Sequence, residues 1–229
     1  MADIVKLTIE IINDSALAKV SQEFTDNSKE EKWISLSDVV QILNNSKVGN
    51  SYLDLGELPF GYVRGARDVF DASTFLVVMI YPAEKRILTY YGEEMVIPYP
   101  ELLFEFKVIG GRVVHSGVFS VIHESGEDYL ANYPFGNVYG SGEICWGSNV
   151  LPNVRSMKDI ELIVGLFFGA VTNNDLYRPG SNIKGLKKFT NQKGLLCALE
   201  KHEIFPLKWL VKRNKTVNEQ VESFFSKNM

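Results

Sequence analysis

The stretch that decides the fold is Tyr133–Pro152, YPFGNVYGSGEICWGSNVLP. Glycine, asparagine and proline crowd it. It also holds Cys145, one of the chain's two cysteines, with Trp146 directly after it. Cys145 lies three residues after Gly142 and eight after Asn137. The stretch has almost no apolar periodicity and many turn formers, so it reads as a long irregular loop.

What precedes the loop is strand-like. TFLVVMIYP, KRILTYYG, EEMVIPYP, ELLFEFKVI and GRVVHSGVFSVI follow one another from Thr74 to Ile122. Each is rich in β-branched and aromatic residues, and turn signals separate them: Pro82–Lys85, Gly92, Pro98–Pro100 and Gly110-Gly111. The expectation is an antiparallel meander whose strands pair in sequential order between Phe75 and Ile122. After the loop, Asp159–Val171 reads as an apolar helix with a polar start at Ser156. KKFTNQKGLLCALEKHEIF and PLKWLVKRNKTVNEQVESFF follow as further helical segments. Strands first and helices last indicate an α+β domain.

The N-terminal part is different. IVKLTIEII, residues 4–12, reads as a strand, and the polar run after it as a loop with some hairpin. Ser37–Leu43 reads as a short serine-capped helix. NNSKVGNSYLDLGELPFGYVRG is full of breakers and reads as a long connection. The division that follows is a β-containing extension or small subdomain at residues 1–70 and a main domain at 71–229.

Composition narrows the function classes. The 229 residues are 45% hydrophobic and 23% charged, an ordinary globular balance. A net charge of −4 gives no basic footprint for nucleic acid. The cluster Lys208, Lys212, Arg213 and Lys215 is expected to be a solvated helix face. No apolar run is long enough to span a membrane, and the N-terminus lacks the pattern of a signal peptide. Two cysteines without ligand spacing imply neither a metal site nor a disulfide scaffold, so the expected setting is a reducing cytoplasm. No cofactor is called for. Cys197, inside GLLCALE, is expected to be a small buried residue of a helix core.

NVYGSGEICW resembles the active-site segment of ubiquitin-conjugating (E2) enzymes. There an asparagine, a short turn ending in glycine, and two further residues precede the catalytic cysteine. Asn137, Gly142, Glu143-Ile144 and Cys145 occupy those places. A nearer resemblance is to a bacterial branch, prokaryotic E2 family D. It is carried by Pro134–Tyr139, by the Gly-x-x-Cys-Trp-Gly run from Gly142 to Gly147, and by Leu151-Pro152. It covers roughly residues 57–155, fades over the C-terminal helices and is weak over the first fifty. Phe135-Gly136 stands where ordinary E2 enzymes have His-Pro, and Phe135 would have to pin the loop by its own burial.

The resemblance implies an E2-like fold in which Cys145 carries a ubiquitin-like modifier as a thioester and passes it to an amine. Cysteine suits that role because its sulfur is both nucleophile and leaving group at neutral pH. Asn137 would stabilise an oxyanion or hold the loop. Asp175, thirty residues after Cys145, would desolvate or deprotonate the incoming amine. Tyr139, Gly142 and Trp146 would build the active-site loop, and the bulk of Trp146 beside the sulfur could shield a thioester. The implied partners are a ubiquitin-like protein, a ThiF-like (E1-type) adenylating enzyme and in some systems a JAB-type peptidase. Two other readings stay open: a non-catalytic E2-fold interaction module of a plasmid-maintenance or defence complex, and a cysteine hydrolase acting on the modifier. A hydrolase would need a histidine beside the sulfur. His115 and His123 fall on strands and His202 far along the chain.

Overall fold

The computed structural model describes residues 4–11, 16–45, 56–68, 71–184 and 189–228. The chain divides into two compact units, Met1–Asp54 and Leu55–Met229.

In the first unit β1 (Ile4–Ile11), β2 (Leu17–Phe24) and β3 (Lys29–Ser35) form an antiparallel sheet in that order, followed by helix α1 (Leu36–Asn45). The polar run expected as a loop with some hairpin is therefore two full strands. Its alternation is carried by small residues, with Ala18 and Val20 buried and Leu17 exposed. Lys19 and Glu31 pair across the strands at 2.9 Å. The helix begins one turn position earlier than expected, because Ser35 Oγ accepts from the Asp38 N–H at 3.0 Å and acts as the cap.

Residues 46–55 of the expected long connection lie outside the described residues. Its last part is not a connection: Tyr62–Arg67 forms β4, which pairs with β5 (Phe75–Tyr81). The remaining strands are β6 (Lys85–Tyr90), β7 (Glu93–Pro98), β8 (Leu102–Ile109), β9 (Arg112–Glu124) and β10 (Glu127–Ala131). They are followed by α2 (Ile160–Gly169), α3 (Gln192–Leu199), a 3₁₀ turn at Leu207–Trp209, β11 (Lys212–Thr216) and α4 (Val217–Asn228).

The unit is α+β, with a six-stranded antiparallel sheet in the order β11-β10-β9-β8-β5-β4. This corrects the expected pairing. β5 skips its successors and pairs with β8, while β6 and β7 form a separate two-stranded ribbon. The ribbon buries Leu88, Tyr90, Met95 and Ile97 in the main core and leaves Ile87 and Val96 exposed, so its alternating sequence is satisfied without a place in the sheet.

Strand β5, between β8 and the edge strand β4, is buried on both faces. Phe75, Val77 and Met79 join the core with α2 and α3, whereas Leu76 and Val78 join a second core with Val217, Val221, Phe224 and Phe225 of α4. The segment expected as one helix from Pro206 is instead a 3₁₀ turn, an edge strand and then α4. Thr216 caps α4 reciprocally. Its Oγ1 accepts from Glu219 N–H at 3.2 Å, and Glu219 Oε2 accepts from Thr216 N–H at 2.8 Å. Lys212, Arg213 and Lys215 consequently sit on β11 rather than on a helix face. No helix among the described residues is long and apolar enough to cross a membrane.

Candidate active site

The opening stretch is irregular in sequence but not in hydrogen bonding. Cys145 N–H donates to Asn137 O at 2.8 Å, Tyr139 N–H donates to Glu143 O at 2.9 Å, and Gly142 N–H closes the turn onto Tyr139 O at 2.9 Å. Val138 and Ile144 form the bridge between these pairs. Residues 137–145 are thus a small β-hairpin with its turn at Tyr139–Gly142. The eight-residue gap is its register, which sets Asn137 directly opposite Cys145.

Alternation then sorts the side chains. Val138 and Ile144 are buried, while Tyr139 and Glu143 are exposed and Asn137 and Cys145 half-buried. Tyr139 is the diagonal neighbour of Cys145, and its hydroxyl donates to Cys145 Sγ at 3.4 Å. That contact with the sulfur is the main reason the Tyr139 phenol titrates above its ordinary range.

β10 pairs with the far half of β9, from Ser120 to Glu124. The hairpin takes up the next part of the same edge. Val118 N–H donates to Gly142 O at 2.8 Å, and Ile144 N–H donates to Ser116 O at 3.0 Å. The fit needs glycine at 142: φ is +101°, and a Cβ there would lie 2.1 Å from Phe119 Cε1. Trp146 also faces β9. Its indole N–H donates to Ser116 Oγ at 2.9 Å and its ring meets Phe167 edge-on at 6.4 Å. Trp146 is half-buried packing, and the adjoining sulfur keeps part of its exposure.

Phe135 does pin the loop by burial. It is fully buried, with Tyr99, Tyr133 and Phe205 edge-on around it. Gly136 follows because a Cβ there would stand 2.5 Å from Asn173 O. Its N–H donates to the buried Gln192 Oε1 at 2.7 Å, and Gln192 Nε2 donates to Thr172 Oγ1 at 3.0 Å. One glutamine at the start of α3 therefore joins the Asn137 loop to the loop after α2.

That second loop brings Asp175 to the site. Asn137, Cys145, Trp146, Val171, Asn173 and Asp175 line one cleft of about 330 Å³. Asn137 Nδ2 donates to Val171 O at 3.0 Å, so the asparagine ties the two walls together rather than bonding the hairpin turn. Asp175 is exposed, and Asn173 Nδ2 donates to its Oδ2 at 3.0 Å. Among the described residues no histidine lines the cleft. A larger groove of about 480 Å³ at the ends of β4, β5 and β8 contains no cysteine.

Cys197 is exposed, which corrects its expected place in a helix core. On α3 the buried face is made by Leu195, Leu196 and Leu199, and residue 197 points away from it.

Two site residues carried no local signal in the sequence. Gln192 is one. Arg213 on β11 is the other: its guanidinium donates to Ser141 O at 3.0 Å and to Gly140 O at 2.6 Å.

The model of one family, prokaryotic E2 family D, matches residues 67–213, more than half of the chain. Searches of curated proteins and of solved structures return no match.

Proposed function

The chain belongs to prokaryotic E2 family D, and on that premise we propose that it has an E2-like fold and carries a ubiquitin-like modifier as a thioester on Cys145 before passing it to an amine. The observation that carries this reading is the meeting of Cys145, Asn137 and Asp175 on one open cleft.

In loading, the Cys145 thiolate attacks the C-terminal carbonyl of the modifier held as a thioester on an E1-type enzyme. The bond to the E1 sulfur breaks, that sulfur leaves as thiolate, and a new thioester forms. In discharge an amine attacks the same carbonyl. The C–N bond forms, the Cys145 thiolate leaves, and the amine's surplus proton passes to Asp175 or to water. An asparagine amide has two N–H donors. Val171 O takes one from Asn137, and the other would serve the oxyanion of the tetrahedral intermediate. The Tyr139 hydroxyl, already on the sulfur, would meet the departing thiolate. A hydrolase would use a histidine to activate water. A cleft without one favours transfer to an amine over loss of the acyl group to water. The partners of this reading are a ubiquitin-like protein and a ThiF-like adenylating enzyme, with a JAB-type peptidase to reverse the conjugate.

The test is incubation of the full chain with the adenylating enzyme, modifier and ATP. We expect an adduct that a thiol reductant dissolves. Cys145→Ser should give a reductant-resistant oxyester or no adduct, and Cys197→Ser should load normally. An adduct that survives Cys145→Ala would overturn the proposal, and absence of any adduct with the wild-type chain would favour a non-catalytic binding module.

A further inference from the structure

The guanidinium of Arg213 reaches the hairpin that carries Cys145. β11 is the edge strand beside β10. From it Arg213 reaches the active-site hairpin and grips the carbonyls of Gly140 and Ser141. These are the two central residues of the turn that Tyr139 opens and Gly142 closes. The same guanidinium lies over the Phe119 ring at 4.8 Å. Phe119 is the ring against which Gly142 is seated. Two carbonyls and one ring therefore fix the tip of the hairpin, while its base carries Asn137 opposite Cys145.

We propose that Arg213 is a positioning residue of the active site: a clamp from the C-terminal edge strand that holds the Tyr139–Gly142 turn and so sets Tyr139 and Cys145 relative to Asn137. The inference rests on the transfer reading for its catalytic consequence, but the clamp itself is a property of the hairpin. The planar fork is essential to it. Two divergent N–H groups meet two successive carbonyls while the flat face covers an aromatic ring, and a lysine ammonium can satisfy only part of this. Gly140 and Ser141 are both exposed, and among the described residues Arg213 is the side chain that bonds their carbonyls. Without the clamp the short hairpin would open locally while the sheet stays folded.

The experiment compares the wild-type chain with Arg213→Ala and Arg213→Lys by amide hydrogen exchange and by single-turnover discharge of the loaded thioester to lysine. The exchange arm reads the amides of Tyr139, Gly142 and Cys145 against those of β8. Arg213→Ala should speed exchange at the three hairpin amides roughly tenfold or more, the factor expected for losing hydrogen bonds from a charged donor, and leave β8 unchanged. Arg213→Lys should fall between, and millimolar guanidinium ion should restore protection in Arg213→Ala. The discharge rate constant should fall in the same order, with the half-saturating amine concentration unchanged. Wild-type exchange at the hairpin in Arg213→Ala would overturn the clamp. So would faster exchange spread equally over β8, since Arg213 would then support the fold as a whole. A wild-type chain that forms no thioester would remove the transfer reading, and the exchange arm would still decide the clamp.

Discussion

Replacing Gln192 with leucine tests the cross-link that joins the two walls of the cleft. Gln192 has no exposed surface. Its Oε1 takes the Gly136 N–H at 2.7 Å and its Nε2 donates to Thr172 Oγ1 at 3.0 Å. Leucine fills nearly the same space and keeps the backbone N–H that donates to Asn174 Oδ1 at 3.0 Å. What it removes is the acceptor for Gly136. A buried donor left without a partner costs about 1–3 kcal/mol. The hydroxyl of Thr172, also buried, loses the Nε2–H that it accepts, and that loss adds to the cost. The expected loss is about 2–4 kcal/mol, a large share of a stability that is usually 5–15 kcal/mol.

The assay is equilibrium urea unfolding followed by tryptophan fluorescence. Trp33 lies in the first unit and Trp146 and Trp209 in the second, so a Trp33→Phe background makes the signal report the larger unit. Gln192→Glu provides the sign check. It keeps an acceptor for Gly136 but buries an acid, whose folded pKa must rise above its unfolded value near 4.3. Its damage should therefore be small below about pH 4 and grow as pH rises from the unfolded pKa through the folded one. A Gln192→Leu variant within about 0.5 kcal/mol of wild type would behave as an ordinary surface substitution and refute the cross-link.

Three further outcomes follow from the site and the sheet. Gly142→Ala should cost about 2–5 kcal/mol, from a positive φ and from the overlap with Phe119; a double-mutant cycle with Phe119→Ala should recover the overlap part only, and strict additivity would show that the ring is not the obstacle. Asn137 has φ +65°, so Asn137→Gly rather than alanine isolates the side chain; it should slow discharge to an amine more than loading, and equal slowing of both would make the residue purely structural. The His123 imidazole titrates above its usual value, chiefly through its hydrogen bond to Asp128, with Glu101 adding to it. A raised folded pKa gives stability that is present below about pH 6.5 and lost as pH rises through the folded value. Because the pair is exposed, the effect should stay under about 1 kcal/mol, and NMR titration of Asp128→Asn should return His123 toward its ordinary pKa.

The strands from Phe75 to Glu124 were legible because β-branched and aromatic residues alternate between clear turns. Which strands pair was not. The choice of β5 for β8 is made by the core, and no local residue of β6 or β7 announces that they leave the sheet. β11 was hidden for the opposite reason. Lys-Arg-Asn-Lys-Thr has no apolar residue to mark a strand, and its place is set by hydrogen bonding to β10. The capping pair Thr216–Glu219 was there to be read and would have placed the start of α4. The exposure of Cys197 was also available, from the helical phase of Leu195, Leu196 and Leu199. At the site, the Asn137–Cys145 spacing could be read, whereas Gln192 and Arg213 act across long chain separations through polar contacts that leave no pattern around them.

The spacing has a physical basis that the motif alone does not express. In a hairpin every side chain's face is set by register, so one residue more or fewer between Asn137 and Cys145 would turn one of them into the core now occupied by Val138 and Ile144. The seven intervening residues keep both on the cleft side, with the turn seated on Phe119 through Gly142. Phe135 and Gly136 replace His-Pro by a different means to the same end. A buried ring fixes the chain before Asn137, and a residue without Cβ lets the loop after α2 close against it. The loop after α2 then presents Asp175 to the cleft, held by Asn173. An E2-like transfer site needs a sulfur open to a large acyl donor on one side and to an amine on the other. Under the transfer proposed above, a partly exposed Cys145 at the base of the hairpin, facing a cleft walled by a separate loop, would offer that arrangement, with no histidine among the described lining residues to activate water against the thioester.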